Sequence, residues 1–237
     1  MWDNPTLLRN TSTVLFAASL LLTLYGAAYY LAHMPNFLPL HTVRLSAATN
    51  QVDATDVLQV VRDDVQGNFL TVDIEQLKTE IEKLPWVRHV QIRREFPDRL
   101  MVELEEHQAL ARWNDDELVN QHGEVFNAEI ERSELLPGFI GQPNESQQVT
   151  QQYLQFNEQL ARIHLQVKQV VESPRHAWQL RLSNGMELEL GSEQMQQRLA
   201  KFVAVYPYSL GNMQEKAKTV DLRYRNGFAV GGLSKQS

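Results

Sequence analysis

The sequence predicts an α+β protein in three parts: a single N-terminal transmembrane helix, a small β-α-α-β-β domain, and a mainly antiparallel β domain with flanking helices. Three observations carry this. Val14 to Ala32 is almost wholly apolar and free of charge. The apolar period switches from helical to two just after Pro85. Two Asn-Gly steps, Asn184-Gly185 and Asn226-Gly227, each separate runs of alternating apolar residues. A chain of 237 residues suits one such anchor and two small domains.

The anchor comes first. From Asn10 to Val43 there is no Lys, Arg, Asp or Glu, and only Ser19, Thr23 and Gly26 interrupt the apolar run. Val14 to Ala32 as a helix spans roughly 28 Å, the thickness of a bilayer's hydrocarbon core. Tyr25, Tyr29 and Tyr30 cluster at its C-terminal end, where amphipathic rings favour the interface. A cleaved signal peptide is the competing reading, with Gly26-Ala27-Ala28 as a small-residue site, but the run is longer than a signal's apolar region. Arg9 flanks one end and Arg44 the other, so the positive-inside rule leaves the orientation open.

In the next 70 residues Leu38, Leu40, Val43 and Leu45 read as a strand. After Asp53, an N-cap, Val57, Val60, Val61 and Val65 recur at helical spacing until Gly67-Asn68. Asp73 and Gln76 form a capping-box-like pair ahead of Ile74, Leu77, Ile81 and Leu84, and Pro85 ends that helix. Trp86, Val90, Ile92 and Phe96 are expected on one strand face, Phe96 to Arg99 to turn, and Leu100, Val102 and Leu104 to return.

In the remainder, Leu118 to Asn120 and Val125-Phe126 flank a turn at Gln121-His122-Gly123. Gly138 to Asn144 reads as a loop. Val149, Tyr153, Phe156, Leu160 and Ile163 line a Gln-rich helix. Trp178, Leu180 and Leu182 pair back through Asn184-Gly185 with Met186, Leu188 and Leu190, with a primed turn expected. Met195, Leu199, Phe202, Val203 and Tyr206 mark a further helix. The last hairpin runs from Val220, Leu222 and Tyr224 through Asn226-Gly227 to Phe228 and Val230, and a short polar tail follows.

Composition removes whole classes of chemistry. The 22 Lys and Arg against 29 Asp and Glu give a net charge of -7, too acidic for a nucleic-acid face. With no cysteine there is no disulfide, thiol nucleophile or thiolate metal ligand. His33, His41, His89, His107, His122, His164 and His176 include no pair at helical ligand spacing, so no metal site is expected. Glu105 and Glu106 beside His107 alternate in direction on a strand, Glu103 and Glu105 share a solvated face, and Asp63-Asp64 and Asp115-Asp116 read as loop or helix-end charges. Trp86 and Trp178 read as core. No hydrolase elbow, zincin or P-loop motif occurs. What remains is recognition by surface. An exposed last strand can accept a partner strand, though it reads equally as an ordinary closing edge.

The local wording narrows this. Val72-Asp73, Leu84-Pro85-Trp86-Val87, Val90 to Arg94, Phe96-Pro97-Asp98 and Ala111-Arg112-Trp113 follow a single anchor in that order. Leu188-Glu189-Leu190-Gly191, Arg198 to Phe202 with Tyr206-Pro207, and Val220 to Tyr224 with Asn226-Gly227 follow in turn. Together they resemble the FtsQ family of bacterial cell division proteins over nearly the whole chain, and the first domain's element order resembles a POTRA module.

The resemblance implies a non-enzymatic scaffold of the divisome in the cell inner membrane, with no cofactor, catalytic residue, metal or small-molecule substrate. It implies a short cytoplasmic tail (1–12), the transmembrane helix (13–33), a POTRA domain (37–107), a C-terminal β domain (108–230) in the periplasm and a flexible tail (231–237). The partners implied are FtsB and FtsL, recruited by β-strand addition to the C-terminal sheet edge, with other division proteins meeting the POTRA domain and membrane helix during septum assembly. The partner-binding residues carried over are Arg175, Arg223, Tyr224, Asn226, Gly227 and Phe228. The arginines would pair with carboxylates, Tyr224 would pack, and Gly227 would admit a close backbone. The sequence departs from the family where a tryptophan follows the Val-Gly step. Here Val230-Gly231 runs into Gly232, leaving Phe228 or Leu233 as the apolar anchor. Rival readings are a POTRA-type envelope transport or assembly component, and an anchored periplasmic hydrolase.

Overall fold

The computed structural model describes residues 5–34, 39–40, 42–45, 49–64, 68–114, 116–131, 133–209, 218–224 and 227–232. Leu38, His41, Val65, Gly67, Asp115, Asn226, Leu233 and most of the expected C-terminal tail lie outside them. The fold is α+β, in two compact units, 1–106 and 107–237.

Helix α1 covers Pro5–Ala32, and Arg9–Ala32 is long and apolar enough to cross a membrane. It begins earlier than the predicted boundary at 13, with Pro5 in the first helical position, where a missing N–H leaves no bond unmade. Val14, Leu15, Phe16, Leu21 and Leu22 are all exposed, which excludes a buried core helix and fits a surface made for lipid. Its hydroxyls are satisfied internally. Thr13 Oγ1 donates to Arg9 O at 2.7 Å, Ser19 Oγ to Phe16 O at 2.9 Å, and Thr23 Oγ1 to Ser19 O at 2.9 Å. In hydrocarbon no water would do so.

The rest of the first unit comprises β1 (Thr42–Leu45), α2 (Ala54–Asp64), α3 (Ile74–Ile81), β2 (Val87–Glu95) and β3 (Arg99–Glu106). The sheet order is β1-β3-β2, with β1 parallel and β2 antiparallel to β3. Asp53 Oδ1 accepts from Thr55 N at 2.8 Å, and Asp73 Oδ1 from Gln76 N at 3.0 Å, so both predicted caps form. Val57, Val61, Leu77 and Ile81 from the helices meet Val90, Leu100 and Val102 from the sheet in one core. Glu106 is structural: its Oε1 accepts from the backbone N–H groups of Asn50, Gln51 and Val52 at 3.0–3.2 Å and fixes the approach to α2. Glu103 and Glu105 pair across the strands with Arg93 and Arg88.

Phe96 departs from expectation. The β2 register shifts between Val87 and His89, which takes Trp86 out of phase with Val90. Phe96 lies past the end of β2 and is 77% exposed, whereas Trp86 stays partly buried against the core.

In the second unit the strands are β4 (Ala109–Trp113), β5 (Glu117–Asn120), β6 (Val125–Phe126), β7 (Gly138–Ile140), β8 (Val167–Glu172), β9 (Trp178–Leu182), β10 (Glu187–Gly191), β11 (Thr219–Asp221) and β12 (Ala229–Gly231). The helices are α4 (Ser146–Ala161) and α5 (Met195–Ser209). The order across the sheet is β12-β11-β10-β9-β8-β7-β4-β5-β6. Antiparallel pairs predominate, but β4 with β7, β7 with β8, and β10 with β11 are parallel.

Two of those parallel pairs explain the helices. Residues joining parallel neighbours must cross over the sheet, and α4 does this between β7 and β8, α5 between β10 and β11. β7, β8 and β10 run the same way, and both crossovers step towards β12, so right-handed connections place both helices on one face. There α4 and α5 pack side by side, linked by Gln196 Nε2 donating to Gln152 at 2.9 Å and Gln155 at 2.7 Å. Beneath them Trp178, Leu180, Leu182, Leu188 and Leu190 alternate inward, while Gln179 and Arg181 pair with Glu189 and Glu187 on the open face.

Two expectations are corrected here. Gly138–Ile140 is an interior strand, with Phe139 fully buried, although its Gly and Pro surroundings read as loop. The turn after β9 is not a primed two-residue turn. Leu182 and Met186 pair around three residues, only Gly185 has a positive φ (+82°), and Asn184 Oδ1 accepts from Met186 N at 3.1 Å. That is a three-residue hairpin loop ending in left-handed glycine. Gly231 also belongs to β12 rather than to a free tail.

Replacing Asp73 by Ala removes the acceptor at the start of α3 and is expected to lower the unfolding free energy of the first unit by about 1 kcal/mol. Phe156→Ala, in the fully buried core of the second unit, is expected to cost about 3–5 kcal/mol. Denaturant melts of the chain from residue 34 onward check both. Equal effects would contradict the burial difference.

Candidate partner-binding edge

β12 has one strand neighbour among the described residues, β11, with Thr219 opposite Gly231, Val220 opposite Val230 and Asp221 opposite Ala229. Among the described residues no strand pairs with its other side, which leaves an edge three residues long. Val230 is partly buried against the main core while Ala229 and Gly231 are exposed, so the strand is pinned from one face.

The loop between β11 and β12 carries most of the expected binding residues. Tyr224 is 60% exposed. Phe228 packs on the core, its ring edge-on to Phe202 of α5 with centroids 6.4 Å apart. Arg223 and Asp221 lie two residues apart and clasp each other: Nη2 donates to Oδ2 at 2.7 Å and Nε to Oδ1 at 2.9 Å. The pair raises the guanidinium above its ordinary range and holds the Asp221 carboxyl below its own. Gly227 has a φ outside the left-handed region, and a Cβ there would meet nothing within 4 Å. The chain's own packing therefore imposes no need for glycine at 227.

A groove of about 400 Å³ lies between this loop and α5. Arg198, Lys201, Phe202 and Val205 line one wall, and Leu222, Tyr224, Gly227 and Phe228 the other. Sequence reading missed Arg198 and Lys201 as site residues, although their spacing of three, followed by Phe202 and Val205, already puts basic and apolar groups on one stripe of α5. Gly191 was also missed. Its φ is +73°, and a Cβ would stand 2.8 Å from Arg198 Nη1 and 3.2 Å from Arg223 Cγ. Only glycine lets both arginines lie over the end of β10. Arg198 Nη1 also donates to Leu190 O at 2.6 Å.

Arg175 is exposed in the turn between β8 and β9. The register places that turn and Arg223 at the same end of the sheet, because Glu172 pairs with Trp178, Trp178 with Gly191, and Glu189 with Asp221. They are two to three strand spacings apart, about 10–14 Å.

Beside Arg175 a side-chain cluster has formed that sequence spacing did not show. His176 Nδ1 is 3.0 Å from Glu172 Oε1 and 3.4 Å from Glu145 Oε1, with the Glu172 side chain fully buried. Their ligand atoms lie close enough together to hold a metal ion. The residues converge because α4 starts next to the β8–β9 turn, a relation no local spacing encodes. Burial pushes the Glu172 carboxyl up, and its hydrogen bond, with the nearby Glu145 charge, raises His176.

Both groups bind protons more tightly in the folded than the unfolded chain, whose ordinary values are 4.5 and 6.5. Their contribution is full below those values and is lost as pH rises through the folded ones. The stability difference between the wild type and Glu172→Gln should therefore move against the wild type from about pH 5 to 8. Thermal melts across that range test this, and a pH-independent difference would sink it.

Comparison with known proteins gives these features a family setting. The POTRA domain of FtsQ type matches residues 38–107, and the C-terminal domain of cell division protein FtsQ/DivIB matches 111–223. The chain is 38% identical to cell division protein FtsQ of Nitrosospira multiformis over 98% of this chain and 99% of that one. It is 36% identical to FtsQ of Burkholderia pseudomallei, over 97% and 94%. Against FtsQ of Escherichia coli it is 34% identical, over 82% and 73%. With both halves matched and near-complete coverage at this identity, the chain belongs to the FtsQ/DivIB family of cell division proteins, which are not enzymes.

Proposed function

We propose that this chain is a single-pass inner-membrane scaffold of the divisome, with its N-terminus cytoplasmic and both folded units in the periplasm. It recruits the FtsB and FtsL pair by strand addition to β12, and other division proteins meet its POTRA domain and membrane helix as the septum assembles. The observation that carries the reading is the juxtaposition of an open three-residue edge with a groove that is basic on one wall and apolar on both. Three residues of backbone pairing give only a few hydrogen bonds of about 1 kcal/mol net each, too little for a stable complex alone. The groove supplies the rest. A partner segment lying along β12 would extend apolar side chains towards Val205, Leu222 and Phe228 and carboxylates towards Lys201, Arg198 and Arg223.

Within this reading the expected residues differ in role. Tyr224 is the contact residue best suited to substitution, because it is exposed. Phe228 is both contact and core, through Phe202, and takes the place of the absent tryptophan as apolar anchor. Arg223 would exchange part of its pairing with Asp221 for a partner carboxylate. Arg175 would meet a carboxylate further along the partner, and Gly227 would admit its backbone closely.

Tyr224→Asp and Lys201→Glu are each expected to abolish co-purification of FtsB and FtsL with the full-length chain from membranes, while circular dichroism and melting temperature stay as in the wild type. Phe228→Asp should also lose the partners, but with a lowered melting temperature. Undiminished capture by both Tyr224→Asp and Lys201→Glu would overturn the assignment of this edge.

A further inference from the structure

The first unit carries an exposed apolar tip with no part in the partner edge. Leu70 is 48% exposed and Phe96 77%, in a unit whose other large apolar side chains outside α1 are mostly packed in its core. Phe69 is buried between them, its ring edge-on to Phe96 with centroids 6.2 Å apart at 78°. Two different elements build this tip: the loop Asn68–Thr71 ahead of α3, and the β2–β3 turn.

Three independent observations put the tip at the level where α1 leaves the bilayer. The first is topological. Thr42, at the start of β1, pairs with Arg99, at the start of β3, so the chain arriving from α1 enters the sheet at the end that carries Phe96. The second is a direct bond. The buried Asn68 donates through Nδ2 to Ala32 O at 2.6 Å and to Met34 O at 3.1 Å. Ala32 is the last residue of α1, and carbonyls at a helix C-terminus have no intrahelical donor. Asn68 Oδ1 meanwhile accepts from Leu70 N at 2.9 Å and Thr71 N at 3.0 Å. One side chain therefore ties the helix end to the loop bearing Leu70. The third is rigidity. Arg94 donates through Nε to Phe69 O at 3.0 Å and through Nη2 to Val72 O at 2.8 Å, fastening that loop to the end of β2 beside Phe96.

We propose that Leu70 and Phe96 are seated in the interfacial layer of the lipid bilayer, so that the first unit stands on the membrane instead of hanging from a tether. The proposal rests on α1 spanning the bilayer. Its occupant is lipid because the tip is bonded to the last carbonyls of a membrane helix, next to the tyrosines at positions 25, 29 and 30. At that depth an aromatic ring and an aliphatic side chain are favoured in the boundary between headgroup and acyl chain. Seating the tip fixes the direction in which the sheet leaves the membrane and removes apolar surface from water.

The absence of cysteine allows a direct test. The full chain carrying Leu70→Cys, Phe96→Cys or Lys83→Cys is labelled with a nitroxide and reconstituted in vesicles of phosphatidylethanolamine and phosphatidylglycerol, without partner proteins. Lys83 is exposed and precedes β2, at the opposite end from Phe96. The expected result is a several-fold higher ratio of oxygen to nickel-chelate collision at 70 and 96 than at 83, falling towards the value at 83 when Asn68→Ala is added. Labels at 70 and 96 that match position 83 would overturn the proposal. So would labels shielded from both reagents, since protein would then cover the tip. A chain that fails to float with the vesicles would expose a failure of the anchor reading itself, separately from the tip.

Discussion

Every backbone N–H and C=O in this chain needs a partner, and the surroundings available to supply one change along its length. In α1 the helix must close its own ladder, since hydrocarbon offers nothing, and even the hydroxyls of Thr13, Ser19 and Thr23 turn back onto preceding carbonyls. Where the ladder runs out, at Ala32 and Met34, the buried amide of Asn68 supplies donors from the next domain. In the second unit the constraint is met laterally across nine strands, and among the described strands β12 and β6 have a neighbour on one side alone. The two ends of the structural problem, a helix terminus and a sheet edge, are also where the chain has its most specific features.

The edge is short for a reason that lies in its neighbours. β11 covers only Thr219–Asp221; Leu222 is buried and still donates its N–H to Glu189 O of β10 at 2.9 Å, and Arg223 then closes back on Asp221. A longer β12 would be a longer template for unwanted pairing. Confining it to three residues makes backbone hydrogen bonding alone too weak to recruit an arbitrary strand, so on the proposed reading the choice of partner would pass to side chains. The net charge of -7 conceals this, because Arg198 and Lys201 line the groove and Arg223 lies beside Arg198 over Gly191, in a chain that the average describes as acidic.

Most of the elements were legible because their signals are local. The helical spacing of Val149, Tyr153, Phe156 and Leu160 and the alternation of Trp178, Leu180 and Leu182 each survive in the structure as a buried stripe or face. What was not legible depended on distant residues. Gly138–Ile140 has too few residues to show a period, and it is a strand only because β4 and β8 flank it. Phe96 continues the apparent alternation of β2, yet the strand ends at Glu95 and the turn that follows leaves it exposed. At the site, Tyr224 and Arg223 could be named from their resemblance to known motifs. Gly191 could not, because its need for a bare Cα arises from Arg198, seven residues on in α5, and Arg223, more than thirty along the chain.

Arg223 shows how these long-range relations bear on recognition. A guanidinium already held by both oxygens of Asp221 gives up favourable contacts when it meets a partner carboxylate, so its net gain is the difference between two charge-assisted pairs. The same pairing holds the side chain in one place over the end of β10, which on the proposed reading would reduce the ordering cost of binding. Lys201 stands exposed on the opposite wall and is not fixed in this way by any neighbouring carboxylate described here. One cation is thus preorganised and partly satisfied, while the other, on the proposed reading, would meet a partner carboxylate without first giving up such a pair. On the proposed reading, a partner segment carrying acidic groups for both cations would be distinguished by its side chains more sharply than by the strand pairing beside them.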